Sequence, residues 1–101
     1  MRLYHRTSAA EAATILPGGF VDREDTYGTP LVHRGVWLSD APLGPAEGAA
    51  GDTLLAVEVD LSLDELEDHE WSEEGKPHRE FLIPATLLNG RCIIRMAPVG
   101  V

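Results

Sequence analysis

The stretch His78-Arg79-Glu80-Phe81-Leu82-Ile83-Pro84 decides the reading of this chain. Phe81, Leu82 and Ile83 are consecutive, bulky and compatible with a strand, and Pro84 ends pairing, so a short buried strand is predicted. Glu80 then stands at the strand's mouth. A carboxylate fixed at the end of an inner strand has a rigid platform and partial desolvation, the conditions for an electrostatic or general-base role. A purely structural role, as an edge carboxylate in water or a partner of Arg79, competes with it.

Working outward, Thr53 to Val59 (TLLAVEV) is the strongest strand by composition, and Gly35 to Asp40 (GVWLSD) a second, with Val36 and Trp37 on opposite faces. Arg2 to His5 (RLYH) reads as a first strand running into a polar corner, and Arg91 to Met96 as a last one. Between the first two strands, Ala9 to Leu16 has high helix propensity, with Ser8 and Glu11 spaced as in a capping box and Pro17-Gly18-Gly19 as its stop. Residues 22–30 read as a surface loop containing Tyr27, and 41–51 as a loop with at most one helical turn. In the acidic segment from Leu61 to Glu74, Leu63, Leu66 and His69 recur at helical spacing, predicting a partly helical stretch with its carboxylates in water. Gly75-Lys76-Pro77 turns the chain into the Glu80 strand, and residues 85–89 make a short connection. The fold class expected is α+β, with one or two short helices.

At 101 residues, 1–101 is a single domain with one core, so a substrate site must be cut into that core's edge. Eight Lys+Arg against 17 Asp+Glu give a formal charge of -9, which disfavours adhesion to nucleic acid and to anionic membranes. The lone cysteine, Cys92, lies in an apolar run and reads as a core residue, with no intrachain disulfide possible. The N-terminal 20 residues lack a signal-type apolar run, and no segment reaches the roughly 20 apolar residues that span a bilayer. A cytoplasmic location is the expectation.

The familiar catalytic signatures are missing. His5, His33, His69 and His78 form no i, i+4 pair and no His-Glu-x-x-His, so no metal site is expected; Ser39 lacks a Gly-x-Ser-x-Gly elbow, and no glycine-rich phosphate loop opens a helix. Three strand-borne groups survive: His5, Trp37 and Glu80. Each alone could be packing or surface.

Their order carries more. His-x-Thr at residues 5–7, then Gly-Val-Trp-Leu-Ser-Asp at 35–40, Gly-Asp-Thr-Leu-Leu-Ala-Val-Glu-Val at 51–59 and Glu-Phe-Leu-Ile at 80–83 resembles the strand sequence of the ADP-ribosyltransferase superfamily. The likeness is to the His-Tyr-Glu branch of poly-ADP-ribose polymerases and diphtheria-type toxins, and more loosely to the RNA 2'-phosphotransferases. It implies two small antiparallel sheets forming a cleft beside one or two short helices, with NAD as substrate and no metal. His5 would bond a ribose hydroxyl with Thr7 or Ser8 nearby, and Trp37, in place of the usual tyrosine, would pack on nicotinamide, with Ser39 also in the cofactor site. Glu80 would bond the nicotinamide-ribose 2'-hydroxyl and stabilise the oxocarbenium ion. Arg6 stands where many relatives have glycine. His78 stands two residues before Glu80, where the arginine-modifying branch has glutamine or glutamate, so arginine is not the expected acceptor.

Residue chemistry fits that role. Cleaving a glycosidic bond to a cationic leaving group builds positive charge on the sugar, and a preorganised carboxylate stabilises it most in the transition state. An indole face holds a flat pyridinium by stacking and cation-π attraction. Two other readings stand beside it. One is a non-catalytic module of the same fold whose acidic face docks a protein partner with a basic surface; the other is 2'-phosphate chemistry on RNA, favoured if Arg2, Arg6 and Arg34 cluster at the cleft.

Overall fold

A computed structural model describes residues 1–26, 28–42, 51–71 and 77–97. The order is β1 (Arg2–Thr7), α1 (Ala9–Gly18), β2 (Arg23–Asp25), β3 (His33–Ser39), β4 (Thr53–Val59), α2 (Leu63–Glu67), β5 (Glu80–Ile83), α3 (Ala85–Leu88) and β6 (Cys92–Met96). The class is α+β, as expected. The two small sheets are not: the strands join into one six-stranded antiparallel sheet, β2-β3-β1-β4-β6 with β5 on β3. Among the described residues there are three short helices where one or two were expected, because residues 85–88, read as a connection, close a helical turn after Pro84.

Alternation along the strands explains the single core. The register pairs Leu3 with Val57, His5 with Leu55, Val57 with Ile94, Leu38 with Phe81 and Val36 with Ile83, and cross-strand partners share a face. On that face Leu3, Leu55, Val57, Val36, Leu38, Phe81 and Ile83 are buried beneath Ala12 and Ile15 of α1, Phe20, Leu66 of α2 and Ala85 and Leu88 of α3. The opposite face carries Arg2, Tyr4, Ser39, Glu80, Trp37 and Leu82.

Local chemistry sets the helix ends. Ser8 accepts from the Glu11 amide to start α1, and the helix runs two residues past the predicted stop, through Pro17 and Gly18, because Gly19 at φ 85° donates to the Ile15 carbonyl. In α2 the full capping box is Ser62 with Glu65; Leu66 is buried while Leu63, expected inward, is 63 % exposed. The helix is five residues long, too short to present a complete apolar stripe. Cys92 is a core residue only in part: it packs against the core, but β6 lies at the end of the sheet and the thiol is half-buried. The helical turn considered within residues 41–51 falls largely outside the described residues, as do Tyr27 and most of the turn before Pro77. Among the described residues, no helix is long and apolar enough to cross a membrane.

Gly51 marks a close approach of backbone to backbone. Its φ is +113°, and a Cβ placed on it would lie 2.3 Å from the Thr7 carbonyl oxygen, at the end of β1 where Thr7 pairs with Thr53. Gly51→Ala is therefore expected to cost at least about 2 kcal/mol, from the disfavoured φ and the displaced β1–β4 register. A urea midpoint unchanged from the parent protein would refute this account of the β1–β4 corner.

Candidate functional site

The β1–β3 boundary is where the sheet is weakest. The two strands pair at Tyr4↔Ser39 and part beyond it, while β4 holds β1 along its whole length and β5 holds β3 from Val36 to Ser39. His5 stands in this fork. Its Nδ1 lies 2.7 Å from the Trp37 carbonyl oxygen, which only accepts, so Nδ1 carries the hydrogen and Nε2 of the neutral ring is the acceptor. Burial lowers the imidazole's pKa, against the smaller opposing pull of the Trp37 carbonyl. The ring meets Phe20 edge-on at 5.3 Å.

Thr7 and Glu11 continue the same side. The buried Thr7 hydroxyl donates to Glu11 at 2.6 Å, and Arg23 of β2 pairs with the other carboxylate oxygen. The Thr7 hydroxyl, first of all, holds the Glu11 carboxyl below its usual range. Thr7 thus spends its hydrogen inside the protein. Sequence reading gave Glu11 a capping role only and Arg23 none; no local signal announces a pair separated by a helix.

Trp37, Ser39 and Glu80 lie on the other face. Ser39 pairs with Tyr4 on one side and Glu80 on the other, and Trp37 is two residues along the strand. The Ser39 hydroxyl donates to the Ala41 carbonyl at 2.6 Å, so its hydrogen too is engaged locally. Trp37 meets Trp71 edge-on at 5.3 Å, and Trp71 meets His33 likewise at 4.8 Å. Trp71 is placed there by its amide, which donates to the Glu80 carbonyl at 2.8 Å, next to the Glu70↔Phe81 bridge. The residue went unremarked in the sequence because it is a single apolar residue among charges. The structure therefore brings Trp37, Ser39 and Glu80 to one face and His5 and Thr7 to the other, linked through the His5 bond to the Trp37 carbonyl.

Glu80 is the first residue of β5, with its side chain 18 % exposed; β5 is not the inner strand expected, since among the described residues it pairs with β3 alone and its other side carries only the Glu70↔Phe81 bridge. His78 Nε2 approaches its Oε2 at 3.5 Å; the His78 side chain is 7 % exposed, and this nitrogen has no hydrogen-bond partner. A buried imidazole nitrogen left in that state is costly and marks a position that a polar group could complete. Arg79 points away, onto Glu70 at 2.5 Å and over the Phe81 ring, so it is not the partner of Glu80.

The charged surface bears on the rival readings. In the acidic segment, Glu65 is held at a pKa of about 2, chiefly by Arg91, and Glu70 is lowered by Arg79, so both carboxylates face arginines of their own chain. Arg2 pairs with Glu58 and Arg34 with Glu24, on different strands. Among the described residues, no group of three or more His, Cys, Asp or Glu side chains could hold a metal ion.

The His5 environment sets a pH dependence. Its folded-state pKa lies below the unfolded value of 6.5, so the folded protein binds fewer protons between the two, and this contribution to stability is complete above about pH 6.5. It is lost as pH falls through the folded pKa. Denaturant midpoints are expected to drop on going from pH 7 to pH 5, with a shallower slope in His5→Gln; equal slopes would show that His5 titrates alike in both states. Compared with family models, curated proteins and solved structures, the chain matches none of them.

Proposed function

We propose that this chain is an ADP-ribosyltransferase-type domain that binds NAD, cleaves the nicotinamide–ribose bond and passes ADP-ribose to an acceptor. The observation that carries the reading is the fork between β1 and β3. It puts a neutral imidazole, tied to the Trp37 carbonyl, beside the strand that presents Trp37 and one strand from the carboxylate of Glu80. In this reading the ligand lies at the parting of the strands and reaches His5 and Thr7 on one face of the sheet and Trp37 and Glu80 on the other.

The chemistry follows from the groups. His5 Nε2 accepts a ribose hydroxyl, its ring fixed by the Nδ1 bond. The Trp37 indole, backed by Trp71, supports the flat pyridinium. As the bond from the sugar's anomeric carbon to nicotinamide breaks, its electron pair neutralises the departing ring, and the charge left on the sugar is stabilised by Glu80. The unpartnered His78 nitrogen beside Glu80 suits a hydroxyl-bearing ligand, which would supply its missing hydrogen-bond partner.

Calorimetry and tryptophan fluorescence with NAD test binding; release of nicotinamide tests turnover. Wild-type protein is expected to give heat and quenching, and Glu80→Gln to keep both while losing about 100-fold or more in nicotinamide release. No heat and no quench at millimolar NAD would overturn the proposal, and undiminished release by the variant would remove Glu80 from the mechanism.

A further inference from the structure

We infer that β6 is a self-association edge, through which two copies of this chain join their sheets in an antiparallel, two-fold pair centred on Ile94. The observation begins with the backbone. The Ala97 amide donates to Leu54 and the Arg91 carbonyl accepts from Asp60, so the odd-numbered residues of β6 turn their polar groups toward β4. Cys92, Ile94 and Met96 accordingly direct theirs away from the sheet. Among the described residues, no strand pairs with that outer edge.

Natural edges are blunted by charge, proline or short length, and the far end of this sheet obeys the rule: β2 is three exposed charged residues, Arg23-Glu24-Asp25. β6 does not. Its five residues, Cys-Ile-Ile-Arg-Met, carry one charge and no proline, with Ile93 68 % and Met96 54 % exposed. A strand of this composition is a pairing template.

Charge selects the occupant's register. A two-fold axis perpendicular to the sheet keeps equivalent faces together, so the centre can fall on Ile93, Ile94 or Arg95. Centring on Ile93 sets Arg95 against Arg91 of the second copy, and centring on Arg95 sets two Arg95 side chains together; like charges directly opposed are unfavourable. Centring on Ile94 instead places Arg95 against Ile93, beside Glu58, which already lies across from Ile93 and 3.4 Å from Arg95 of its own chain. That register also joins the outward groups of 92, 94 and 96 in about six main-chain hydrogen bonds.

The other face of the edge is shaped for the same partner. A hollow of about 270 Å³ lies beside it, lined by Leu16, Gly18, Gly19, Asn89, Gly90, Cys92 and Ile94. In the Ile94-centred pair, Met96 of the second copy lies directly opposite Cys92, at this hollow, and exposed Leu16 would cover it. Each copy supplies one hollow and one methionine.

Sedimentation equilibrium of the full chain at about 0.15 M salt, where screening confines the repulsion of two -9 chains to roughly 8 Å, is the test. A monomer–dimer equilibrium is expected between about 1 and 200 µM. Two variants of one exposed residue check the register: Ile93→Lys faces Arg95 of the second copy and should weaken association about tenfold or more relative to Ile93→Glu, which faces it with opposite charge. Within the chain the preference is reversed, since Glu58 neighbours residue 93, so a loss of folding cannot imitate this result. A monomer throughout the range, or equal effects of the two substitutions, would overturn the inference.

Discussion

The Trp37 carbonyl lies on a strand from which β1 turns away, and the His5 ring supplies the donor that the backbone of β1 withholds. A buried carbonyl without a donor costs about 1–3 kcal/mol, so the fork is stable only if a side chain closes it. The substitution has consequences for chemistry. It fixes which nitrogen bears hydrogen, and burial keeps the ring neutral, so one imidazole nitrogen is committed to structure and the other has acceptor character. Closure of the sheet and preparation of a candidate site are thus the same contact.

Around the fork, charges are arranged to neutralise each other locally rather than to project a field. Glu58 meets both Arg2 and Arg95, Glu11 meets Arg23, Glu24 meets Arg34, Glu70 meets Arg79 and Glu65 meets Arg91. Pairs this exposed contribute little stability individually. The arginines of these pairs are engaged within the chain, and 17 Asp+Glu against 8 Lys+Arg leave a surplus of carboxylates.

Composition made most of the sheet legible. β1, β3, β4, β5 and β6 all show in runs of apolar and β-branched residues, and the capped start of α1 in Ser8 and Glu11. β2 was hidden because Arg-Glu-Asp has no strand preference; it is extended by pairing with His33 to Gly35, a long-range cause. The candidate site was legible as residue types and illegible as geometry. His5 and Tyr4 are adjacent, yet one belongs to the core face and the other to the face of Glu80, and nothing local says where β1 and β3 part. A shift of one residue in that register would exchange their faces. Trp71 joins Trp37 by way of a single bridge to β5, again a tertiary event.

The order of the strands ties the two proposals together. β6 is separated from β1 by β4, so pairing at the outer edge leaves the fork and its residues untouched. A two-fold axis perpendicular to the sheet also puts equivalent faces on the same side. Trp37 and Glu80 of both copies would then face one direction across a continuous sheet, while the helices that cover each core would share the other. Association of this kind removes an exposed edge without occupying the candidate site. The constraint falls on β4, which must pair with both β1 and β6, and its alternation of Leu55, Val57 and Val59 inward is the pattern that anchors the core between them.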